Sequence, residues 1–253
     1  MRRRLAAPVT ALVVGIAMVL GGLEGVGSPA GAATTSYQLT FATTSGGPVL
    51  VRWAPCIRGV DGPQVIRYKV HAAGRPGRVD MAKRAVRRLH RATGLHFRYA
   101  GRTSYIPQAV PLTRRLRARE MERRTGVPFV VAWARQGAVA GGSTLLDKTE
   151  AGVGSIVWRY SALSDLRISD AAVVMRRGHT GLRAGFGRGG TTGTLLLHEL
   201  GHAAGLLHVY DGSQVMNPVI GGSSPGTYAD GDRRGLHRVG ADAGCMNGPW
   251  LPA

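Results

Sequence analysis

Acidic residues are scarce in this chain: 14 Asp and Glu stand against 33 Lys and Arg among 253 residues, a formal charge of +19 with histidine neutral. Lysine is nearly absent as well, occurring only at Lys69, Lys83 and Lys148, so arginine carries the charge. Too few carboxylates are present to assemble a calcium loop, since Asp230 and Asp232 are two acids where calcium takes about six to eight oxygens. Calcium is therefore not supported. Aromatic residues make up 6% of the chain and do not interleave with the arginines, so specific nucleic-acid binding is not expected. The positive surface suits loose association with anionic cell-wall or surface polymers. An arginine-heavy codon bias with no partner accounts for the same composition. The densest basic run, residues 114–124, also holds Glu120 and Glu122 and reads as a solvated helical face.

Cysteine occurs only twice, at Cys56 and Cys245, enough for a single bridge. In an exported protein such a pair favours a disulfide tying the N-terminal segment to the C-terminal tail. Long apolar runs are missing beyond the N-terminus. The first 32 residues join a basic head (Arg2, Arg3, Arg4) to an apolar stretch and the small-residue ending Ala30-Gly31-Ala32, the pattern of a secretory signal peptide. Leu5 to Leu23 is nearly long enough to span a bilayer, which leaves an uncleaved anchor as the alternative. Residues 33–253 then form one domain with a sizeable core, expected outside the cell and as a monomer.

What the chain does contain is TLLLHELGHAAGLLH. His198 and His202 lie four apart, on one face of a helix, and can aim their rings at one point. Glu199 follows the first histidine directly. A straight helix cannot bring His208 to the same point, but Gly205 can take the left-handed conformation that ends a helix and turns the chain back. Three imidazoles on one ion with a vacant fourth position describe a catalytic zinc site rather than a structural one. The remaining histidines, His71, His90, His96, His179 and His237, have no partners at ligand spacing, so one zinc ion is expected.

Around this run the pattern alternates strands and helices. Residues 33–47 are rich in Thr, Ser and Gly and read as a flexible leader. Val65 to Val70 and Leu95 to Ala100 read as strands, with an amphipathic helix from Asp80 to Thr93 between them, ended by Gly94. Residues 102–128 form an excursion that carries the basic helix. Phe129 to Ala134 is a continuous apolar run of the buried-strand type. Glycines break the chain at 141–142 and 152–154, and Ile156 to Tyr160 and Ile168 to Met175 are further strands. The glycine-rich residues 185–190 lead into the histidine helix.

The run H-E-x-x-H-x-x-G-x-x-H, followed by Ser213-Gln214-Val215-Met216-Asn217-Pro218, resembles the metzincin zinc metalloproteases, most closely their bacterial matrixin-like branch. The likeness is specific over residues 191–240 and only suggestive upstream. Val209 departs from the residues that better-known subfamilies carry after the third histidine. The resemblance implies that His198, His202 and His208 bind zinc, that Glu199 is the general base, and that Met216 lies beneath the metal in a Met-turn. It implies an α/β (α+β) metzincin-like zincin fold: a twisted mixed sheet with two main helices above a cleft, over about residues 48–208. A small irregular lower part with a C-terminal helix follows over about 209–253, and Asp232 is expected to N-cap that helix. An edge strand at Ala171 to Met175 would pair with an extended polypeptide substrate. Cys56 lacks the surroundings of the cysteine switch known in relatives, which favours its pairing with Cys245. The activity implied is that of a secreted zinc endopeptidase. Two other readings remain open: a zinc hydrolase of a non-peptide or cell-wall amide, and a basic surface-binding protein with a vestigial site.

Overall fold

Phe129 to Ala134 is buried at every position, and the reason is that both faces of its strand are covered. Phe129, Val131 and Trp133 belong to one apolar cluster; Val130, Ala132 and Ala134 belong to a second on the opposite face. The structure, a computed structural model, describes residues 37–247 except residues 112, 114, 140, 141, 148, 161–164, 179 and 180. The expected signal peptide lies outside the described residues.

In chain order the elements are β1 (Gln38–Leu39), β2 (Phe41–Thr44), β3 (Gly47–Arg52), β4 (Val65–His71), α1 (Gly77–Thr93), β5 (His96–Arg102), β6 (Gln108–Ala109), α2 (Ala118–Thr125), β7 (Phe129–Ala134), β8 (Ala138–Val139), β9 (Gly142–Thr144), β10 (Gly152–Tyr160), β11 (Leu166–Arg176), α3 (Thr192–Ala204), β12 (Leu206–Leu207) and α4 (Asp230–Val239). The main sheet runs in the order β2-β3-β11-β7-β4-β5, with β10 added along β11. Strands β3, β11, β7, β4 and β5 are parallel, while β2 and β10 are antiparallel to their neighbours. This is the mixed α/β fold expected. Helix α1 buries Val79, Ala82, Val86 and Leu89 at helical spacing and stops at Gly94, whose φ of 67° is left-handed. Residues of α1, α3 and α4 share one core with the central strands, and the part expected as a lower unit joins it through Val215, Met216, Leu236 and Val239.

Two expectations are corrected. Residues 38–47 are not a flexible leader: β1 pairs antiparallel with β12, and β2 forms a hairpin with β3 through the turn at residues 45–46. Polar composition suggested mobility because the partner of β1 lies at the far end of the chain. The second correction concerns the edge of the sheet. Along β11, β3 and β7 occupy one side and β10 the other, so Ala171 to Met175 is interior. The edge strand is β10. Its opening residues Gly152-Val153-Gly154 look like a break, yet they extend the strand as glycines because the strand presses on α3. A Cβ on Gly154 would stand 2.3 Å from the Glu199 carbonyl oxygen and 2.7 Å from the His202 Cβ.

Cys56 and Cys245 form the expected disulfide. Beside it Ile57 bridges to Met246, and the Arg52 guanidinium donates to the carbonyls of Ala243 and Gly244 at 3.2 and 3.0 Å. No helix among the described residues is long and apolar enough to cross a membrane.

Asp170, on β11, is 1% exposed, and its Oδ1 has no hydrogen-bond partner among the described residues. Burial pushes its carboxyl up to about 6, against the hydrogen bond from Ser169; Glu122 adds to the rise and Arg159 opposes it. A folded-state value above the unfolded one favours the fold at low pH, and that advantage is lost as pH rises through about 6. Asp170→Asn is therefore expected to stabilise the protein by about 2–3 kcal/mol above pH 6 and by little below pH 4. Denaturant unfolding of both proteins across that range checks it.

Candidate metal centre

Helix α3 starts where Thr191 accepts the Thr194 N–H at 3.0 Å, a side-chain cap on an extended residue. It is buried almost all round, so His198 and Glu199 are only 4% and 5% exposed. At its far end Gly205, with φ 106°, caps the helix with its N–H on the carbonyls of Gly201 and His202. The chain then reverses through β12, held by β1 and by the Thr40 N–H on the Gly205 carbonyl at 2.9 Å. That reversal delivers His208.

The three Nε2 atoms form a near-equilateral triangle, with 3.1 Å between His198 and His202 and 3.0 Å from each to His208. His198 Nδ1–H donates to the Val215 carbonyl at 2.7 Å, and His202 Nδ1–H donates to the Leu206 carbonyl at 2.8 Å. A carbonyl only accepts, so both rings carry their proton on Nδ1 and point an Nε2 lone pair at the shared centre. Two lone pairs 3.1 Å apart repel unless a cation lies between them. Donors around a tetrahedral zinc bonded at about 2.0–2.1 Å would stand about 3.3 Å apart, close to what is observed. The residues fit a metal ion. Among the described residues no other group of three His, Cys, Asp or Glu side chains converges in this way.

Burial, then the neighbouring charges of His202 and His208, holds His198 well below its usual range; burial also lowers His202. His208 falls to about 3 through burial and the charge of His202. All three are thus neutral near pH 7, the state a metal requires. Burial drives Glu199 up to about 8, Glu150 adds to the rise, and the Gly154 N–H hydrogen-bonded to it opposes. A bound cation acts on this carboxyl in the opposite sense.

Met216 packs against α3 at Gly201, where a Cβ would be 2.3 Å from its Sδ. The Val209 N–H on the Met216 carbonyl, at 3.0 Å, closes the loop between the third histidine and this turn. Sequence reasoning missed Gly152, Gly154 and Gly201. The signal available for Gly201 was a glycine inside a helix, which costs about 1 kcal/mol against alanine and so calls for a packing reason. Trp53 was missed as well; its indole N–H donates to the Ala203 carbonyl at 2.9 Å, near the end of α3. Asp232 is not the N-cap residue expected. It is the third residue of α4, 1% exposed, and accepts the N–H groups of Val215, Met216 and Ala229 at 2.8, 3.1 and 2.8 Å. One carboxylate thereby caps α4 and holds the Met216 turn, including the peptide whose carbonyl orients His198.

Asp232→Ala leaves three N–H groups unpaired, two of them buried, and a loss of about 3 kcal/mol is expected in denaturant unfolding. Asp232→Asn keeps one acceptor oxygen and should lose less. No family model matches this chain, and no curated protein matches it. Among solved structures it is similar to High choriolytic enzyme 1, a hatching enzyme zinc-protease from the medaka fish Oryzias latipes. The identity is 15% over 72% of this chain and 90% of that one, with a TM-score of 0.34. So shallow a likeness adds no weight to the geometry of the site itself.

Proposed function

We propose that the chain is a secreted zinc-dependent endopeptidase of the metzincin type, with the matrixin-like branch as its nearest relation. The observation that carries this reading is the triangle of Nε2 atoms with the buried Glu199 carboxylate next to it in sequence and lying against the edge strand. His198, His202 and His208 would hold one zinc ion. When bound, zinc supplies a Lewis acid that polarises a carbonyl and brings the pKa of a water towards neutrality. Glu199 would take a proton from a water beside it on a carboxylate oxygen and pass it to the departing amine. The Gly154 N–H fixes the carboxylate while it does so. Val215 and Leu206 keep two of the imidazoles in the ligating tautomer through their carbonyls.

Peptide is favoured as substrate by the edge strand. Among the described residues β10 pairs only with β11, and its glycines lie against Glu199 and His202. An extended polypeptide adding to the open side of β10 would pass the histidines with its backbone hydrogen-bonded and its sequence largely unread.

Digestion of a peptide library with and without a zinc chelator tests the reading; cleavage that is lost with the chelator and restored by zinc is expected. Glu199→Ala should keep the metal and lose roughly 10²- to 10⁴-fold in turnover. His208→Ala should lose metal and cleavage together, as read by metal analysis of the purified protein. Undiminished turnover in Glu199→Ala, or full metal content in His208→Ala, would remove that residue from its role.

A further inference from the structure

Strands β11, β7 and β4 lie side by side, parallel, and end at one rim: Arg176 pairs with Ala134, and His71 with Ala132. In open α/β sheets, ligands collect beyond the carboxyl ends of parallel strands. What stands at this rim is cationic. Arg177 extends β11 by one residue, its N–H on the Ala134 carbonyl at 2.7 Å. Strand alternation puts its side chain on the face of Trp133 and Met175, the face covered by α1. Arg78, in the first turn of α1, donates to the Ala72 carbonyl at 3.2 Å and holds its Cζ 5.7 Å from the centre of the Trp133 ring. Arg75 is exposed in the loop between β4 and α1. His71 closes β4, with Nδ1–H donating to the Thr103 carbonyl at 3.2 Å.

None of these four residues takes part in an ion pair among the described residues. The crowding is felt in their ionisation. Burial lowers Arg78, and Arg75 and Arg177 push it further. Burial lowers His71 too; the hydrogen bond to Thr103 resists, while Arg177 and Arg78 add to the fall. The same loop holds Ala73 at φ 48°, the sole non-glycine residue with positive φ among the described residues. That conformation persists only where the surroundings over-determine it. The mutual repulsion of these cations is relieved by an anion.

We propose that Arg78 and Arg177, with Arg75 and His71 at the margin and Trp133 as the wall, form a binding site for a compact oxyanion, a phosphate or carboxylate group. The guanidinium fork matches such groups through paired N–H donors, and Arg78 is already oriented by its carbonyl and its aromatic neighbour. The site is separate from the three histidines and does not rest on the proteolytic reading. It shares its rim with Gly152, the end of β10 that touches Glu199, at a remove of two strand spacings, about 10 Å. An acidic group on a bound polypeptide and a free phosphate therefore offer it the same chemistry.

The test uses the full chain labelled with 5-fluorotryptophan, the Trp133 resonance being assigned from Trp133→Phe. Inorganic phosphate is titrated at constant ionic strength against chloride. A saturable shift of the Trp133 resonance is expected, weakened about tenfold or more by Arg78→Gln and by Arg177→Gln. Arg177 is exposed, so its variant reads binding even if Arg78→Gln loosens the fold. Arg67→Gln with Arg98→Gln removes two exposed charges from β4 and β5 and should leave the titration unchanged. A shift that never saturates, or an equal loss in the Arg67 and Arg98 variant, overturns the site and leaves only the effect of net charge. Displacement of phosphate by a Glu-containing peptide, and not by its Gln counterpart, assigns the occupant to polypeptide carboxylates. Saturable phosphate binding without displacement assigns it to phosphate.

Discussion

The site depends on one bend. Between Ala204 and Leu206 the chain must leave a helix, reverse, and set a third imidazole against two that the helix already carries. Gly205 meets this twice over. Its φ of 106° is closed to most side chains, and a Cβ there would stand 3.0 Å from the Val51 carbonyl oxygen. The carbonyl of Gly205 takes the Thr40 N–H, and the two residues after it pair with Gln38 and Leu39. The start of the described chain is thus bound to the arrival of His208. Loss of the β1 pairing would free the segment that positions the third histidine.

The rest of the site repeats one device, a glycine where a neighbouring side chain or backbone must come too close for a Cβ. Gly201 admits Met216 beneath the helix, Gly152 and Gly154 admit the edge strand beside it, and Gly193 admits the Phe186 ring at its start. Close approach keeps the helix dry, and dryness sets the ionisation: neutral imidazoles and a carboxyl raised by burial. The Nδ1 protons of His198 and His202 then need acceptors, and two backbone carbonyls supply them. The Val215 carbonyl and the Met216 N–H belong to one peptide, and Asp232 grips that N–H, so the orientation of His198 is transmitted from α4 through a single peptide.

The histidine run was legible because its geometry is local: helical spacing, a left-handed glycine and a return of three residues need no knowledge of the rest of the chain. Strand β7 and helix α1 were legible for the same reason, each from its own apolar period. The boundaries of α1 were less so, since it begins at Gly77 rather than Asp80. Apart from the Cys56–Cys245 bridge, which two cysteines alone suggest, features that depend on distant partners were harder to read. Strand β1 looks like a leader because Gln38 finds its partner at Leu207. Gly152 and Gly154 look like breaks because a glycine records how closely another backbone approaches, and in sequence that looks the same as a preference for turns. Asp232 looked like an N-cap because the sequence shows an acid near a helix start without showing the two turn N–H groups that it also serves.

The surplus of arginine has a structural counterpart. Among the few acids, Asp170, Glu199 and Asp232 are buried, where they meet backbone N–H groups, Ser169 and the histidine site, and of the three Asp170 also pairs with an arginine, Arg159 at 3.8 Å. Interior use of carboxylates leaves the exterior more positive than composition alone implies. Arg67 and Arg98 even stand directly opposite each other on β4 and β5, both exposed. Like charges facing across strands destabilise a sheet by a few tenths of a kcal/mol when solvent screens them. An exposed pair is therefore tolerated at small cost. The arginines at the rim differ in kind: Arg78 is partly desolvated against Trp133, and water relieves its repulsion from Arg75 and Arg177 less completely. Composition sets the number of arginines, but not the packing of one against a buried aromatic ring with two more beside it and no ion pair among the described residues.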